Sequence, residues 1–176
     1  MSLRFYVHEG SRPAPPLTAL APGLAVAAWR PRSDGLPPKD LALWPNAMWW
    51  VFDRMGVFAN RHCGVLMIRD GDRLVHSALV TPRYFRFPQM GRDDLQIGGV
   101  WTDPARRGQG LAKAGVALIV QRWSGLYGRM WYIVEEDNPA SIRVIEACGF
   151  RLLGLGERRS PLGVGVLGQY RLLQLA

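Results

Sequence analysis

The segment TDPARRGQGLAKAGVALIV, Thr102 to Val120, decides how the rest of this 176-residue sequence is interpreted. Two arginines and two glycines stand within a few residues of each other, and a long apolar run follows them. Backbone N–H groups at a helix start have no intrahelical partner and favour an anion, and glycines let several of them turn inward. The segment therefore predicts an anion-binding turn, suited to a diphosphate, that opens a buried helix near Gly110.

Three kinds of phosphate-binding turn compete for this segment. A P-loop requires Gly-Lys-Ser/Thr, whereas Leu111 and Ala112 follow Gly110 here. A dinucleotide-binding Gly-x-Gly-x-x-Gly opens the first βαβ unit, whereas this segment lies in mid-chain and has Lys113 at the third glycine. Arg107, Gly110 and Ala112 match the Arg/Gln-x-x-Gly-x-Gly/Ala turn of the GNAT superfamily of acyl-CoA-dependent N-acyltransferases, which the segment resembles.

A second segment extends the resemblance. NPASIRVIEACGF, Asn138 to Phe150, is similar to the later GNAT segment, with an asparagine, a small residue three positions on and a closing Gly-Phe. The two segments stand in the family's order, separated by a helix and a strand of ordinary length, and cover roughly residues 95–150. The alternative that the glycines only form a tight strand-to-helix turn stays open.

The remaining pattern predicts an α/β fold in one domain over residues 1–176. The resemblance implies a GNAT-like mixed, mainly antiparallel sheet with a splayed central parallel strand pair, flanked by helices. Apolar runs and turn residues predict a hairpin around Asp70–Gly71 and two closing antiparallel strands. Asp40 is predicted to cap a short helix that Pro45 ends before a second helix begins. The other predicted elements are strands at 23–29, 95–101 and 129–136 and a helix at 138–149. Asn138 is predicted to cap this helix, with Pro139 in its first turn and Gly149 past its end.

Composition excludes several classes of protein. The net charge is +8 and comes almost entirely from arginines that stand singly or in pairs, so nucleic-acid binding is not expected. Two cysteines and three scattered histidines predict neither a disulfide framework nor a metal site. No apolar run is long enough to span a bilayer, and the first ten residues do not resemble a signal peptide. We therefore expect a cytoplasmic protein without a membrane partner.

The resemblance implies that acetyl-CoA is the acyl donor and that the glycine turn holds its pyrophosphate. The glycine-bearing strand would separate from its parallel neighbour, and the pantetheine arm would lie in the gap along the backbone of Val100 and Thr102. The N–H group of Val100 would stabilise the oxyanion. The implied donor-binding residues are Val100, Trp101, Thr102, Arg107, Gly108, Gln109, Gly110, Leu111, Ala112, Lys113 and Asn138.

Two catalytic positions that are common in the family hold other residues here. Many members have a tyrosine general acid seven residues after the asparagine, but Ile145 stands there. A glutamate on the glycine-bearing strand often acts as general base, but the nearest position holds Gln96, which does not accept a proton at neutral pH. His76, Glu135 and Ser141 are the remaining catalytic candidates.

Each candidate has a structural alternative. His76 has a suitable intrinsic pKa for a base, but it could be a hydrogen-bonded strand histidine. Glu135 ends the strand beside the gap, where it could equally be a solvent-exposed charge. Ser141 would act near the departing thiolate, or would only bond at the helix start. Asp94 is interpreted as a loop charge, and Cys148 as a core residue rather than an acyl carrier.

Three functions follow from the resemblance. The first is transfer of an acetyl group to the primary amine of a small molecule, with an amino sugar as one candidate, by direct attack in a ternary complex. Tyr84, Phe85 and Phe87 could stack on the acceptor, while Arg83 and Arg86 could bind its anionic groups. The same segment could equally be a packed loop with exposed arginines. The second is acetylation of protein N-termini or lysines, and the third is an acyl-CoA sensor without turnover. Family members are often homodimers, but no residue here marks an interface.

Overall fold

A computed structural model of the chain describes residues 2–17, 19–41, 43–159 and 168–176. Within these residues eight strands form one sheet, and four α-helices accompany it. The strands are β1 (Ser2–Glu9), β2 (Leu24–Trp29), β3 (Gly64–Asp70), β4 (Arg73–Pro82), β5 (Leu95–Thr102), β6 (Arg129–Glu135), β7 (Arg151–Arg159) and β8 (Gln169–Leu175). The helices are α1 (Pro31–Asp34), α2 (Leu43–Arg54), α3 (Leu111–Arg122) and α4 (Pro139–Ala147).

The sheet has the strand order β2-β3-β4-β5-β6-β1-β7-β8 and contains one parallel pair, β5 and β6. This pair is in register only from Leu95 opposite Met130 to Ile97 opposite Tyr132. Beyond that point β5 continues to Thr102 and β6 to Glu135 without pairing with each other. The predicted splayed parallel pair in a mainly antiparallel sheet is confirmed.

A β-bulge lies where β5 separates from β6. The pairing of β5 with β4 shifts register between Ser77 and Leu79, opposite the two glycines. Gly99 has a φ of +55°, a left-handed conformation that disfavours side chains. The extra residue reverses the direction in which successive side chains of β5 point. Ile97 and Val100, three positions apart, therefore both pack into the core beneath α3 and α4. The bulge therefore directs Trp101 to the opposite face.

The N-terminal strand β1 was not predicted from the sequence. It lies between β6 and β7 and is antiparallel to both. Phe5 and Val7 pack on one face of the sheet and Tyr6 on the other, and all three are buried. The strand shows no polar alternation because both of its faces are covered. It thereby links the strands that follow α4 to the parallel pair.

The helical region before β3 differs from the prediction. One helix runs through Pro45, because a proline in the first turn removes no intrahelical hydrogen bond. Asp40 precedes this helix and pairs with Arg69 instead of capping it. Trp49 and Phe52 pack against the core, whereas Met55 follows the helix and is 72% exposed. The short helix α1 was also not predicted.

The loop between β4 and β5 packs against the sheet. Tyr84 is buried beside the rings of Trp49 and Phe52. Phe87 is buried and its ring is stacked on Tyr170. The prediction that these two rings stack on an acceptor is therefore wrong, because they are part of the core. Phe85, which is 40% exposed, is the one ring of the three that reaches solvent.

The remaining elements agree closely with the sequence. The β3–β4 hairpin is present, although Asp70 pairs with Arg73 and the tight turn is Gly71–Asp72, one residue later than predicted. Asn138 caps α4 as predicted. Cys148 is fully buried and its thiol is free. No helix in the described part of the chain has the length and apolarity needed to cross a membrane.

Candidate active site

A cleft of about 530 Å³, here called the α3 cleft, opens between the diverging strands and the N-terminal ends of α3 and α4. It brings together every predicted donor-binding residue except Gln109, which is exposed outside it. Sequence reasoning did not select Arg106, Tyr132, Ala140 and Val144, which also line the cleft. The predicted residues that line it are Val100, Trp101, Thr102, Arg107, Gly108, Gly110, Leu111, Ala112, Lys113 and Asn138.

The glycine turn forms one end of the α3 cleft. Gly108 and Gly110 have φ values of +78° and +77°, and a Cβ atom added to either would have no neighbour within 4 Å. The first hydrogen bond of α3 runs from the N–H group of Ala114 to the carbonyl of Gly110. The N–H groups of the preceding three residues therefore have no intrahelical partner and are available to an anion.

The charges around the turn favour an anion as well. Arg106 is paired with Asp70, and the neighbouring carboxylate of Asp103 is paired with Arg73 at 2.5 Å. Arg107 and Lys113 line the cleft, are exposed and have no ion-pair partner among the described residues. Positive charge at a helix N-terminus with open N–H groups fits a diphosphate.

The splayed strands form the other end of the cleft. Because β5 and β6 stop pairing after Ile97, the edge of β5 that faces β6 is free over Val100 and Thr102. An extended amide-bearing chain could add to such an edge by backbone hydrogen bonds. The residues present thus fit both a diphosphate and an amide-bearing arm, as in an acyl-CoA.

The start of α4 adds a hydroxyl pair to the cleft. The side chain of Asn138 accepts a hydrogen bond from the Ser141 N–H group at 3.1 Å. The side chains of Ser141 and Tyr132 both line the cleft. Burial raises the pKa of Tyr132, and the nearby Ser141 hydroxyl opposes part of this rise. Sequence reasoning missed Tyr132 because it looked for a tyrosine only in the helix that follows Asn138.

His76 lies away from the cleft, on the face of the sheet that α3 covers. Its ring is fully buried, Nδ1 lies 2.9 Å from the Thr102 hydroxyl, and Nε2 has no hydrogen-bond partner. A Cβ atom on Gly115 of α3 would lie 2.2 Å from Nε2. Burial lowers the pKa of His76 to about 4, so the ring is neutral near pH 7. His76 lines neither the α3 cleft nor the cleft on the other face of β5, and its bond to Thr102 holds the strand that borders the α3 cleft.

The low pKa of His76 predicts a pH-dependent stability. The unfolded ring, with a pKa near 6.5, binds a proton before the folded ring does. The stability contributed by the neutral ring is complete above about pH 6.5 and is lost as the pH falls towards 4, by up to about 1.4 kcal/mol per pH unit. Urea unfolding at pH 7 and pH 5 measures this loss. His8, whose pKa burial also lowers, acts in the same direction, so His76→Gln is the necessary comparison. An unchanged pH dependence in that variant would contradict the prediction.

Glu135 stands at the exposed end of β6, and its backbone pairs with Leu3 of β1. It does not line the α3 cleft. Asp94, interpreted from the sequence as a loop charge, is instead buried, and its carboxylate accepts three hydrogen bonds. Among the described residues no group of His, Cys, Asp and Glu side chains is arranged to hold a metal ion.

A second cleft of about 490 Å³, here called the α2 cleft, lies on the opposite face of β5. Trp101 lines both clefts, and Gly99 of the bulge lines the second. The α2 cleft therefore meets the α3 cleft at the strand that the bulge turns outward. Its other described lining residues are Asp40, Leu41, Asn46, Trp49, Val65, Leu74, Ser77 and Leu79.

Three of the solved structures that share this fold are GNAT proteins. An acetyltransferase from the GNAT family of Novosphingobium aromaticivorans matches with a TM-score of 0.55 and 19% identity, over 88% of this chain and 60% of that one. A GCN5-related N-acetyltransferase from Kribbella flavida matches with a TM-score of 0.54 and 15% identity, over 86% and 55%. A tandem GNAT protein from the clavulanic acid biosynthesis pathway matches with a TM-score of 0.59 and 15% identity, over 86% of this chain and 50% of that one.

At these identities the likeness concerns the fold alone, and the chain spans 50–60% of the length of these three proteins. A search of curated proteins found no significant match. The family model described as "Acetyltransferase (GNAT) family" matches residues 25–150, a range that includes the glycine turn, the splayed strands and α4. This match spans most of the chain and confirms the resemblance found in the sequence: the chain belongs to the acetyltransferase (GNAT) family.

Proposed function

We propose that this protein transfers an acetyl group from acetyl-CoA to the primary amine of a small molecule. The observation that carries the proposal is the α3 cleft, which joins an open glycine turn at a helix N-terminus to an unpaired strand edge. Acetyl-CoA would supply the activated acetyl thioester. Arg107, Lys113 and the N–H groups at the start of α3 would bind the diphosphate, and the free edge of β5 would align the arm.

The chain's own groups would serve the reaction at the junction of the two clefts. The amine nitrogen forms a bond to the acetyl carbon, the carbon–sulfur bond breaks, and the amine proton replaces the acetyl group on sulfur. The Val100 N–H group lies on the free edge of β5 and is our candidate donor to the carbonyl oxygen. The hydroxyl pair of Tyr132 and Ser141 is our candidate proton donor to the thiolate, because its raised pKa keeps Tyr132 protonated.

Proton removal from the amine depends on positioning and solvent in this proposal. Of the three catalytic candidates only Ser141 lines the α3 cleft, and neither His76 nor Glu135 lines either cleft. Glu135 is exposed and could receive the proton only through water. A bound amine held at attacking distance can lose its proton to water, with orientation supplying much of the rate.

The lining of the α3 cleft also favours a second candidate function, an acyl-CoA sensor. No carboxylate or imidazole among the described residues lines the α3 cleft, so binding without turnover is chemically reasonable. Acetylation of protein N-termini or lysines is a third candidate that uses the same donor cleft. An amino-sugar acceptor loses support, because two of the three loop aromatics proposed to stack on it are buried.

Release of free thiol from acetyl-CoA tests the proposal. The assay would use monoamines, amino sugars, polyamines and N-terminal peptides, with acetyl-CoA affinity measured in parallel by calorimetry. Turnover of a small amine supports the proposal. Preference for peptides supports the protein acetyltransferase, and tight acetyl-CoA binding without turnover of any amine supports the sensor. Failure to bind acetyl-CoA would overturn all three functions.

Tyr132→Phe tests the proton donor. Removing the phenolic hydroxyl should lower kcat by about 100- to 10,000-fold while the affinity for acetyl-CoA stays within about twofold, since general acid catalysis contributes on this scale. Tyr127→Phe is the matched control, because Tyr127 is also buried and its hydroxyl lies 3.2 Å from His8, outside the cleft. A Tyr132→Phe enzyme as active as the wild type would refute this role.

A further inference from the structure

We propose that the α2 cleft binds the acceptor and selects a monoamine with an apolar, aromatic or branched body; this inference rests on the proposed function. The cleft reaches the α3 cleft at Trp101, which lines both. An amine seated in it would approach the thioester from the face of β5 opposite α3. The volume of about 490 Å³ suits a small molecule.

The walls of the α2 cleft are mainly apolar. Leu41, Val65, Leu74 and Leu79 contribute aliphatic surface, and Trp49 and Trp101 contribute aromatic surface. Trp49 is held by edge-to-face contacts with Phe52 and Tyr84, so this wall is fixed before a ligand binds. Apolar surface that leaves water on binding favours a ligand with an apolar body.

The polar groups of the cleft are few, and its carboxylate is neutralised. Asp40 is the one acidic side chain among the described lining residues, and Arg69 contacts both of its oxygens, at 2.8 Å and 2.6 Å. A ligand with several ammonium groups would find no unpaired counter-charge there. The polar side chains among the described lining residues are Asp40, Asn46 and Ser77. A sugar has more hydroxyls than these groups can serve, and each hydroxyl buried against the aliphatic walls without a partner has a cost.

The neutral environment also suits the chemistry. An ammonium ion that enters a cleft without a free counter-charge loses hydration and releases its proton more readily. The uncharged amine is the form that attacks the thioester. The α2 cleft therefore favours the reactive form of a monoamine, and no histidine is found among the described residues that line the two clefts.

Substrate comparison with the wild-type protein tests the inference without relying on any variant. Thiol release would be measured with 2-phenylethylamine, isopentylamine, glucosamine and spermidine, and acetyl-CoA binding by calorimetry. We expect kcat/KM for the two apolar amines to exceed that for glucosamine and spermidine by at least about tenfold, as a few buried methylene groups provide. Equal or better turnover of glucosamine or spermidine would overturn the inference and leave the proposed function intact.

A second test of the inference places a charge in the wall of the α2 cleft. Leu74→Asp puts a carboxylate into the cleft and should lower kcat/KM for 2-phenylethylamine by at least about tenfold while leaving acetyl-CoA affinity unchanged. Leu173→Asp is the matched control, because Leu173 is 62% exposed on β8 and lines neither cleft. Acetyl-CoA binding without turnover of any amine would overturn the acceptor inference and favour the sensor. Absence of acetyl-CoA binding would overturn both the inference and the proposed function.

Discussion

Gly110→Val is expected to weaken acetyl-CoA binding by at least about a hundredfold, or about 2.7 kcal/mol. Two effects combine. A β-branched residue disfavours the φ of +77°, so the turn would change its conformation and rotate the N–H groups of α3 away from the diphosphate. If the backbone kept its conformation, the new side chain would enter the open space of the cleft, where Cβ has no neighbour within 4 Å. Calorimetric titration of acetyl-CoA measures the effect.

Gly125→Val is the control for backbone strain. Gly125 follows α3, has a φ of +76°, and its Cβ would also meet nothing within 4 Å, but it does not line the α3 cleft. Both variants should lose similar stability to urea, while only Gly110→Val loses affinity. Unchanged affinity in Gly110→Val would remove the glycine turn from the binding site. Equal losses of affinity in both variants would attribute the effect to general destabilisation.

Asp94→Ala is expected to lower the free energy of unfolding by about 3–5 kcal/mol, a large part of a typical total. The buried carboxylate accepts hydrogen bonds from the N–H groups of Gly91 at 2.7 Å and Arg129 at 3.0 Å, and from the Trp131 indole at 2.8 Å. Removing the carboxylate leaves these three donors without their partner. The next residue, Leu95, begins the parallel pairing with β6, so Asp94 also fixes the register of the pair that forms the cleft.

Asp93→Ala is the matched control for Asp94→Ala. Asp93 is exposed, and its backbone carbonyl, which accepts a bond from the Gly128 N–H group, survives the substitution. Urea unfolding of the two variants and the wild type compares the loss of an aspartate that accepts this network of three hydrogen bonds with the loss of an aspartate outside the network. A difference between the variants below about 1 kcal/mol would mean that the network contributes little.

The residues that line the α3 cleft could be predicted from the sequence because they belong to local motifs. A glycine turn followed by an apolar helix, and an asparagine cap followed by proline, depend on residues within one or two helical turns of each other. These signals gave the correct position of α3, the cap of α4 and nearly all of the predicted lining residues. Gln109 alone falls outside, because it points away between two glycines that face the cleft.

The other features depend on contacts between distant segments. Tyr132 meets Ser141 across a strand and a helix start, and His76 lies under α3 because Gly115 leaves room for its ring. Tyr84 and Phe87 are buried because α2 and β8 supply rings to pack against. None of these pairings has a local signal in the sequence, so side chains that suit catalysis or stacking could not be separated from side chains that suit a core.

The sequence by itself indicated the family and the position of the glycine turn at the start of α3. Both depend on backbone conformations that glycine, asparagine and proline impose on their neighbours. Only the tertiary structure decided where the acceptor would enter. The bulge at Gly99 reverses the alternation of β5 and turns Trp101 towards walls supplied by β3, β4 and α2. The neutrality of that cleft comes from Arg69 reaching Asp40, 29 residues earlier in the chain, a pairing that the sheet must first bring together.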